Sequence, residues 1–405
     1  MKVLDLFCGV GGLSWGFEEI GWEVVSGIDS WDKALKVFKK VHPKAKVLCK
    51  DLTKLKDEDL VREFHGVDVI IGGPPCQAFS TVGKRALDDP RALLVKEFVR
   101  VVKLLRPEVF VFENVKGFMY FSKGLLAREV IEELISAGYQ VDFEVLNAVN
   151  FSAPQVRERF IIVGSLSKKV ILPRGNYVRR GKFWTFREMS SDLPPLNSRE
   201  EAERYSSPPQ NELQRFYRRK GLERLTLHYS PAYSSKLLKM MKYIPEGKSA
   251  HDVLKNIPLS YRPTSGYKNT YKRIFWDEPT PTITRNFCVP SSSNCIHPEQ
   301  NRALTPREAA RAQTFPDDYP FEGSKQDVRL MIGNAVPPFL SLGLALRICS
   351  YYEGTKLNNF SEKCWYELVD VKALLKPSEE EKLWEKNSTT KKKLKSFNSP
   401  SLLGS

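Results

Sequence analysis

Over the first 164 residues, short apolar runs alternate with amphipathic stretches, and this alternation limits the fold more than any other feature of the chain. Residues 2–7, 23–28, 47–49, 67–71, 109–112, 141–146 and 160–163 read as strands. Residues 13–20, 32–41, 92–105 and 125–137 carry helical spacing, and Gly138 stands where a left-handed residue ends a helix. Strands that are apolar along their whole length are covered on both faces. The pattern therefore predicts an α/β fold with a doubly wound, mostly parallel sheet. Such sheets bind ligands beyond the carboxyl ends of their strands, so the residues at those ends carry the argument.

The first strand runs into DLFCGVGGLSWGF, residues 5–17. After Phe7, the glycines Gly9, Gly11 and Gly12 let the backbone turn sharply and approach a ligand closely. Their spacing departs from the GxGxxG of dinucleotide-binding folds. Asp29 closes the second strand and is placed to accept hydrogen bonds from ribose hydroxyls. Asp51 follows the third and could accept one from an adenine amino group, although either aspartate could equally cap a helix. Polar groups at three successive strand ends favour an adenosine-type cofactor.

The fourth strand ends in GGPPCQAFS, residues 72–80. Pro74 and Pro75 fix φ and remove two backbone donors, so Cys76 is presented on a stiff loop. A lone cysteine is more often a buried, inert thiol. Enzymes that methylate exocyclic amino nitrogens of bases typically carry an Asp/Asn/Ser-Pro-Pro-aromatic segment there, and a thiol in its place implies covalent chemistry. Glu113, in FENVKGF, ends the neighbouring strand. Buried beside a base, its carboxyl group would hold its proton more tightly and could donate to a ring nitrogen; an ion pair is the plainer alternative. Arg157 and Arg159, two apart in QVRER, point to one face of an extended segment and can grip a carbonyl oxygen and phosphates.

Beyond residue 165 the alternation breaks, and charge becomes informative. Residues 1–164 hold 23 Lys+Arg against 23 Asp+Glu, residues 165–300 hold 24 against 12, and residues 301–405 hold 16 against 13. The overall +15 is thus concentrated as +12 in the middle third, where Arg215, Arg218, Arg219, Lys220 and Arg224 interleave with Phe216 and Tyr217. This asymmetry points to a polyanionic partner, nucleic acid first, against a merely solvated basic surface. Regular structure returns with a helix at 306–312, GNAVPP at 333–338 and a helix at 339–348. From residue 355 a charged tail is expected, with one helix at 363–375. Seven cysteines without a CxxC pair and five histidines without HxxxH spacing argue against disulfides and metal sites. No apolar run reaches the ~20 residues of a membrane span, and the chain passes from Met1 straight into a strand, so it reads as cytoplasmic.

Taken in order, the glycine turn, the Pro-Pro-Cys loop, Glu-Asn-Val, Gln-x-Arg-x-Arg, RALTPREAARAQTFPD (302–317) and GNAVPP resemble the DNA (cytosine-5) methyltransferase family of the bacterial and archaeal restriction–modification type. The likeness covers residues 1–164 and about 299–350. It implies the S-adenosylmethionine-dependent methyltransferase fold, with a catalytic and cofactor-binding domain at 1–180 and an irregular basic target-recognition domain at 181–325. A returning segment at 326–354 and the charged tail at 355–405 complete this division. S-adenosyl-L-methionine, leaving as S-adenosyl-L-homocysteine, would be held by Phe7, Gly9, Gly11, Gly12, Asp29, Asp51, Pro74 and Asn334, with no metal. Asp29 stands where many relatives have Glu. Cys76 would attack carbon 6 of a cytosine turned out of the duplex. Glu113 would hold the N3 edge, and Arg157 and Arg159 would share the carbonyl oxygen and a phosphate. Ser80, Arg215, Arg218, Arg219, Lys220, Arg224, Thr282 and Arg285 would meet the DNA, Thr282-Ile283 resembling the family's Thr-aliphatic pair. The implied partners are double-stranded DNA and, where one exists, a companion restriction endonuclease; a monomer and no membrane are expected.

Other readings fit less well. A nicotinamide-dependent oxidoreductase is disfavoured by the glycine register and by Pro-Pro-Cys. RNA enzymes of the separate cytosine-5 superfamily use a Thr-Cys context, and tRNA-directed relatives carry Cys-Phe-Thr; neither occurs here. A silent DNA-binding regulator would have lost the thiol or the carboxylate, and both are present.

Overall fold

The computed structural model describes residues 1–75, 90–264, 266–352, 367–379 and 381–382, with the side chains of 90–92 and of Lys220 outside the description. Cys76 and Ser80 lie outside the described residues.

Seven strands form one sheet: β1 (Lys2–Leu6), β2 (Glu23–Asp29), β3 (Lys46–Cys49), β4 (Val69–Gly72), β5 (Val109–Val115), β6 (Gln140–Asn147) and β7 (Glu158–Ser165). Their order is β3-β2-β1-β4-β5-β7-β6. All neighbouring pairs are parallel except those made by β7, which runs antiparallel to both β5 and β6. The order reverses between β1 and β4, so their carboxyl ends open onto the crevice where doubly wound sheets bind ligands.

Each strand buries alternate residues in opposite layers. Phe110, Phe112, Phe160 and Ile162 join the layer under α3 (Asp57–Phe64), α4 (Pro90–Leu105) and α5 (Leu125–Ser136). Val109, Val111, Ile161 and Val163 join the other, with α1 (Gly12–Glu19) and α2 (Asp32–Val41). The helix α3 is unannounced in the sequence because only Leu60 and Phe64 of its DEDLVREF are buried, too few to mark a period. Gly138 takes φ +96°, as its place after α5 requires.

The middle third contributes only short helices, α6 (Phe186–Ser190), α7 (Glu212–Tyr217) and α8 (Ser235–Met241), and isolated bridges. It is tied to α9 (Pro306–Ala312) by buried charges: the Arg311 guanidinium holds the carboxylates of both Asp192 and Asp317. Two further helices follow, α10 (Lys325–Asn334) and α11 (Pro338–Tyr352). α11 crosses α1 at Gly16, where a Cβ would lie 2.3 Å from the Leu342 amide nitrogen; only glycine permits that approach. The stretch Lys325–Tyr352 is apolar enough to cross a membrane by length and composition, but 89 % of its most apolar window is buried as protein core.

One expectation for the tail is corrected. Of the helix expected at 363–375, the described part is helical only over α12 (Val371–Leu375), and Val369 pairs with Val178 as a β-bridge. Glu381 is docked against the body. The Glu381 carboxylate, 5 % exposed, accepts from the Arg347 guanidinium, the Tyr177 hydroxyl and the Arg174 amide.

Candidate active site

At the end of β1 the chain enters left-handed backbone at Phe7 (φ 58°), Gly9 (φ 52°) and Gly11 (φ 89°). The three glycines are required for different reasons. A Cβ on Gly11 would lie 2.9 Å from His42 Nε2, and one on Gly12 would lie 2.4 Å from the Val336 carbonyl oxygen, whereas a Cβ on Gly9 would meet no described atom within 4 Å. Gly11 and Gly12 thus serve packing, and Gly9 keeps open the space over the turn. Asp29 braces the turn: Oδ2 accepts from the Gly9 amide at 2.9 Å and Oδ1 from the Trp31 amide at 2.8 Å. Burial pushes the Asp29 carboxyl up, and those amide bonds oppose it. Each oxygen retains a lone pair for a further donor. Asp51 adopts the helix-capping role weighed as its alternative, its Oδ1 accepting from the amide and hydroxyl of Thr53.

Beneath the turn lie groups that the sequence did not single out. Asp5 is 1 % exposed, its Oδ2 has no hydrogen-bond partner among the described residues, and burial pushes its carboxyl up to about 8. Ser14 Oγ lies 3.0 Å from His42 Nε2, and His42 Nδ1 lies 2.9 Å from Glu18 Oε2. This relay ties the amino end of α1 to the end of α2. A lone histidine carries no such signal in sequence; the pairing exists only once α1 and α2 lie side by side.

The second cluster forms where β4 and β5 end. Glu113, 8 % exposed, lies against the end of β4: a Cβ on Gly73 would lie 2.7 Å from Glu113 Oε2. The buried Pro74 offers its carbonyl oxygen to the Asn114 side chain at 3.2 Å. Arg159 pairs with Val115 across β5–β7, on the face that also carries Glu113, and its Nε reaches Glu113 Oε1 at 2.8 Å. Desolvation pushes the Glu113 carboxyl up; the charges of Arg159 and Arg157 hold it down. The loop residues nearest Cys76, the acid and one arginine thus meet at one point.

The two arginines differ. The Arg157 guanidinium is taken up by the carbonyl oxygens of Ile283, Gly333 and Ala335 at 2.6–3.1 Å, and so acts as a joint between β7, the end of the middle third and GNAVPP. These bonds engage both terminal nitrogens of the side chain. Gln155 strengthens the same joint, accepting from the Ile283 amide and donating to the Ala312 carbonyl. Thr282 donates to the Val156 carbonyl at 2.8 Å, while Arg285 and Asn334 are exposed.

The basic cluster expected to face DNA is largely spent on the protein's own carboxylates. Arg215 pairs with Glu212, Arg219 with Asp318 and Arg224 with Glu203. Arg218 bonds the Ser207 carbonyl, approaches Asp192 at 3.6 Å and stacks on Tyr205. Among the other described cysteines, burial pushes Cys8 well above the usual thiol range and Cys295 up to about 12, which leaves both inert at neutral pH.

Residues 1–349 match the family model of the C-5 cytosine-specific DNA methylases. The chain is 35 % identical over 351 residues to the Type II methyltransferase M1.HphI of Haemophilus parahaemolyticus, covering 85 % of this chain and 86 % of that one. It is 33 % identical over 385 residues to the Type II methyltransferase M.DdeI of Desulfomicrobium norvegicum, covering 89 % and 91 %. In fold it is similar to a prophage-encoded DNA modification methyltransferase of Escherichia coli, with TM-score 0.68, 24 % identity and coverage of 86 % and 98 %.

Proposed function

The chain belongs to the C-5 cytosine-specific DNA methylases, and from that premise we propose that it methylates carbon 5 of one cytosine in a specific duplex sequence through a covalent bond from Cys76. The observation that carries this reading is the contact of the Glu113 carboxyl group with Gly73 and Arg159, three residues before the thiol.

Carbon 5 of cytosine is too weakly nucleophilic to take a methyl group unaided. The Cys76 thiolate adds to carbon 6, which turns carbon 5 into the nucleophilic end of an enamine. Glu113, buried and inclined to keep its proton, donates to N3 and offsets the charge that the attack places on the ring. Arg159, already oriented by Glu113, holds the carbonyl oxygen at position 2. Water removes the carbon-5 proton, N3 returns its proton to Glu113 and the thiolate departs, restoring the aromatic ring. The base must leave the stack to reach this cluster, at a cost of a few kcal/mol offset by these contacts.

S-adenosyl-L-methionine, when bound, supplies the methyl group and leaves as S-adenosyl-L-homocysteine. The residues fit it: the open space over Gly9 admits a ligand against the backbone, and the Asp29 oxygens can still accept from a ribose. The middle third and its flank, residues 181–325, read the DNA sequence while the sheet performs chemistry.

Bisulfite sequencing of DNA from a host expressing the protein tests the reading. Protected cytosines in one short sequence, lost with Cys76→Ser while S-adenosylmethionine still binds, are the expected result. Undiminished protection with Cys76→Ser would place the nucleophile elsewhere.

A further inference from the structure

Residues 235–275 form a small lobe with its own apolar centre, in which Met240, Met241, Ile244, Ile257 and Tyr271 are buried. One buried side chain fastens it to the body. The Arg273 guanidinium donates to the carbonyl oxygens of Met241 and Ile244 within the lobe, and to those of His297 and Gln300 outside it. The lobe holds 9 Lys+Arg against 2 Asp+Glu, so +7 of the middle third's +12 lies in 41 residues. Lys236, Lys239, Lys242, Lys248, Lys255 and Lys268 are exposed, and none forms an ion pair among the described residues. The contrast with Arg215, Arg219 and Arg224, each against a carboxylate, is direct.

Two large apolar side chains on this lobe stand almost wholly in water. Leu259 is 79 % exposed and Tyr267 75 %, well beyond any other large apolar side chain described. Single exposed apolar residues are ordinary on a protein surface. These two stand on turns held from below. Leu259 opens a single helical turn whose Tyr261 packs into the lobe centre, while the Arg262 side chain donates to the Ile257 carbonyl. Before Tyr267, Gly266 takes φ +110°, and a Cβ there would meet Thr270 Oγ1 at 2.5 Å; the Thr270 amide and hydroxyl both donate to the Tyr267 carbonyl. The backbone is fixed and both side chains stand largely in water, amid lysines that form no ion pair among the described residues.

We infer that this lobe, not the Arg215–Arg224 cluster, is the surface laid on duplex DNA, with its lysines on phosphates and with Leu259 and Tyr267 on the bases, where they determine which sequence is methylated. Lysines on phosphates give affinity and orientation without sequence information. Apolar side chains read a thymine methyl in the major groove or wedge between base steps in the minor groove, and both kinds of contact depend on sequence. The inference rests on the DNA-methylase reading above and names the residues of this chain that discriminate.

The test compares two double variants of the full chain, first by bisulfite sequencing of host DNA and then by binding to the methylated sequence and to random duplex across a salt series. Lys255→Ala/Lys268→Ala should weaken binding to both duplexes, lower the slope of log K against log salt by about two, and leave the methylated sequence unchanged. Leu259→Ala/Tyr267→Ala should keep the slope, reduce the preference for the protein's own sequence by about tenfold, and spread methylation to related sequences. Tyr267→Phe, which keeps the ring, should retain the preference. An apolar double variant with unaltered preference and unaltered methylated sequence overturns the inference. So does a salt slope that falls with Arg224→Ala and not with the lysine pair. Wild-type protein that leaves no sequence-specific 5-methylcytosine would instead remove the premise, a result distinct from either.

Discussion

A carboxyl group 8 % exposed beside an arginine feels two opposing pulls on its proton: desolvation keeps it, and the guanidinium drives it off. At Glu113 the pull of burial is the larger, which suits a group that must donate to a ring nitrogen. Glu113→Gln keeps the shape and removes the proton, so kcat should fall by about 10²–10³ with little change in the KM for S-adenosylmethionine. Initial methyl-transfer rates check this, and a loss confined to the cofactor KM would assign Glu113 to the other pocket. Asp5 gives a second expectation. Its carboxyl is pushed from 3.8 to about 8, so the folded protein holds a proton that the unfolded chain releases. Stability from this group is present below about 4 and is lost as pH rises toward 8. Asp5→Asn should flatten that decline by roughly one proton equivalent in urea unfolding at successive pH values; an unchanged decline would contradict it. Asp29, Glu113 and the glycine turn were legible because strand ends announce themselves in sequence. Asp5 and His42 were not, since their importance arises from what packs above and beside them.

Elements differ in the same way. The central strands β4 and β5 are legible because they are buried on both faces and open as unbroken apolar runs. β7 reads as one more strand, but its antiparallel sense depends on its partners β5 and β6 and leaves no mark in its own residues. The ion pairs of the basic segment Arg215–Arg224 are hidden in sequence for a related reason. Charge counts say how many arginines a segment has, and only the fold says that Asp318, Glu203 and Glu212 lie within reach of them. The docking of the segment that carries α12 and Glu381 is hidden behind its charge as well, because Glu381 is the partner of the buried Arg347, 34 residues before it. Deleting residues 367–405 leaves that guanidinium without this carboxylate. The loss should be about 3–5 kcal/mol of stability, typical for breaking a buried pair. Chemical denaturation checks it, and a truncated chain of full stability would show that the segment contributes nothing.

Across the whole molecule, catalysis and charge are kept apart. Residues 1–164 are of net zero charge and the middle third carries +12; in the proposed reading the first carries the chemistry and the second meets the polyanion. The two are joined at buried, hydrogen-bonded points, through Arg157 and Gln155 on one side and Arg311 on the other, so the reading surface is held in register with the site. That arrangement serves a methylase only if the cytosine delivered by one part is attacked by the thiol of the other. The measurement closest to this claim uses duplex DNA carrying 5-fluorocytosine at the methylated position, because fluorine cannot leave as the proton does. With S-adenosylmethionine present, the account predicts a denaturation-resistant protein–DNA adduct whose peptide map places the link at Cys76, absent from Cys76→Ser and retained by Leu259→Ala/Tyr267→Ala. No adduct, or one mapped to another residue, would contradict it.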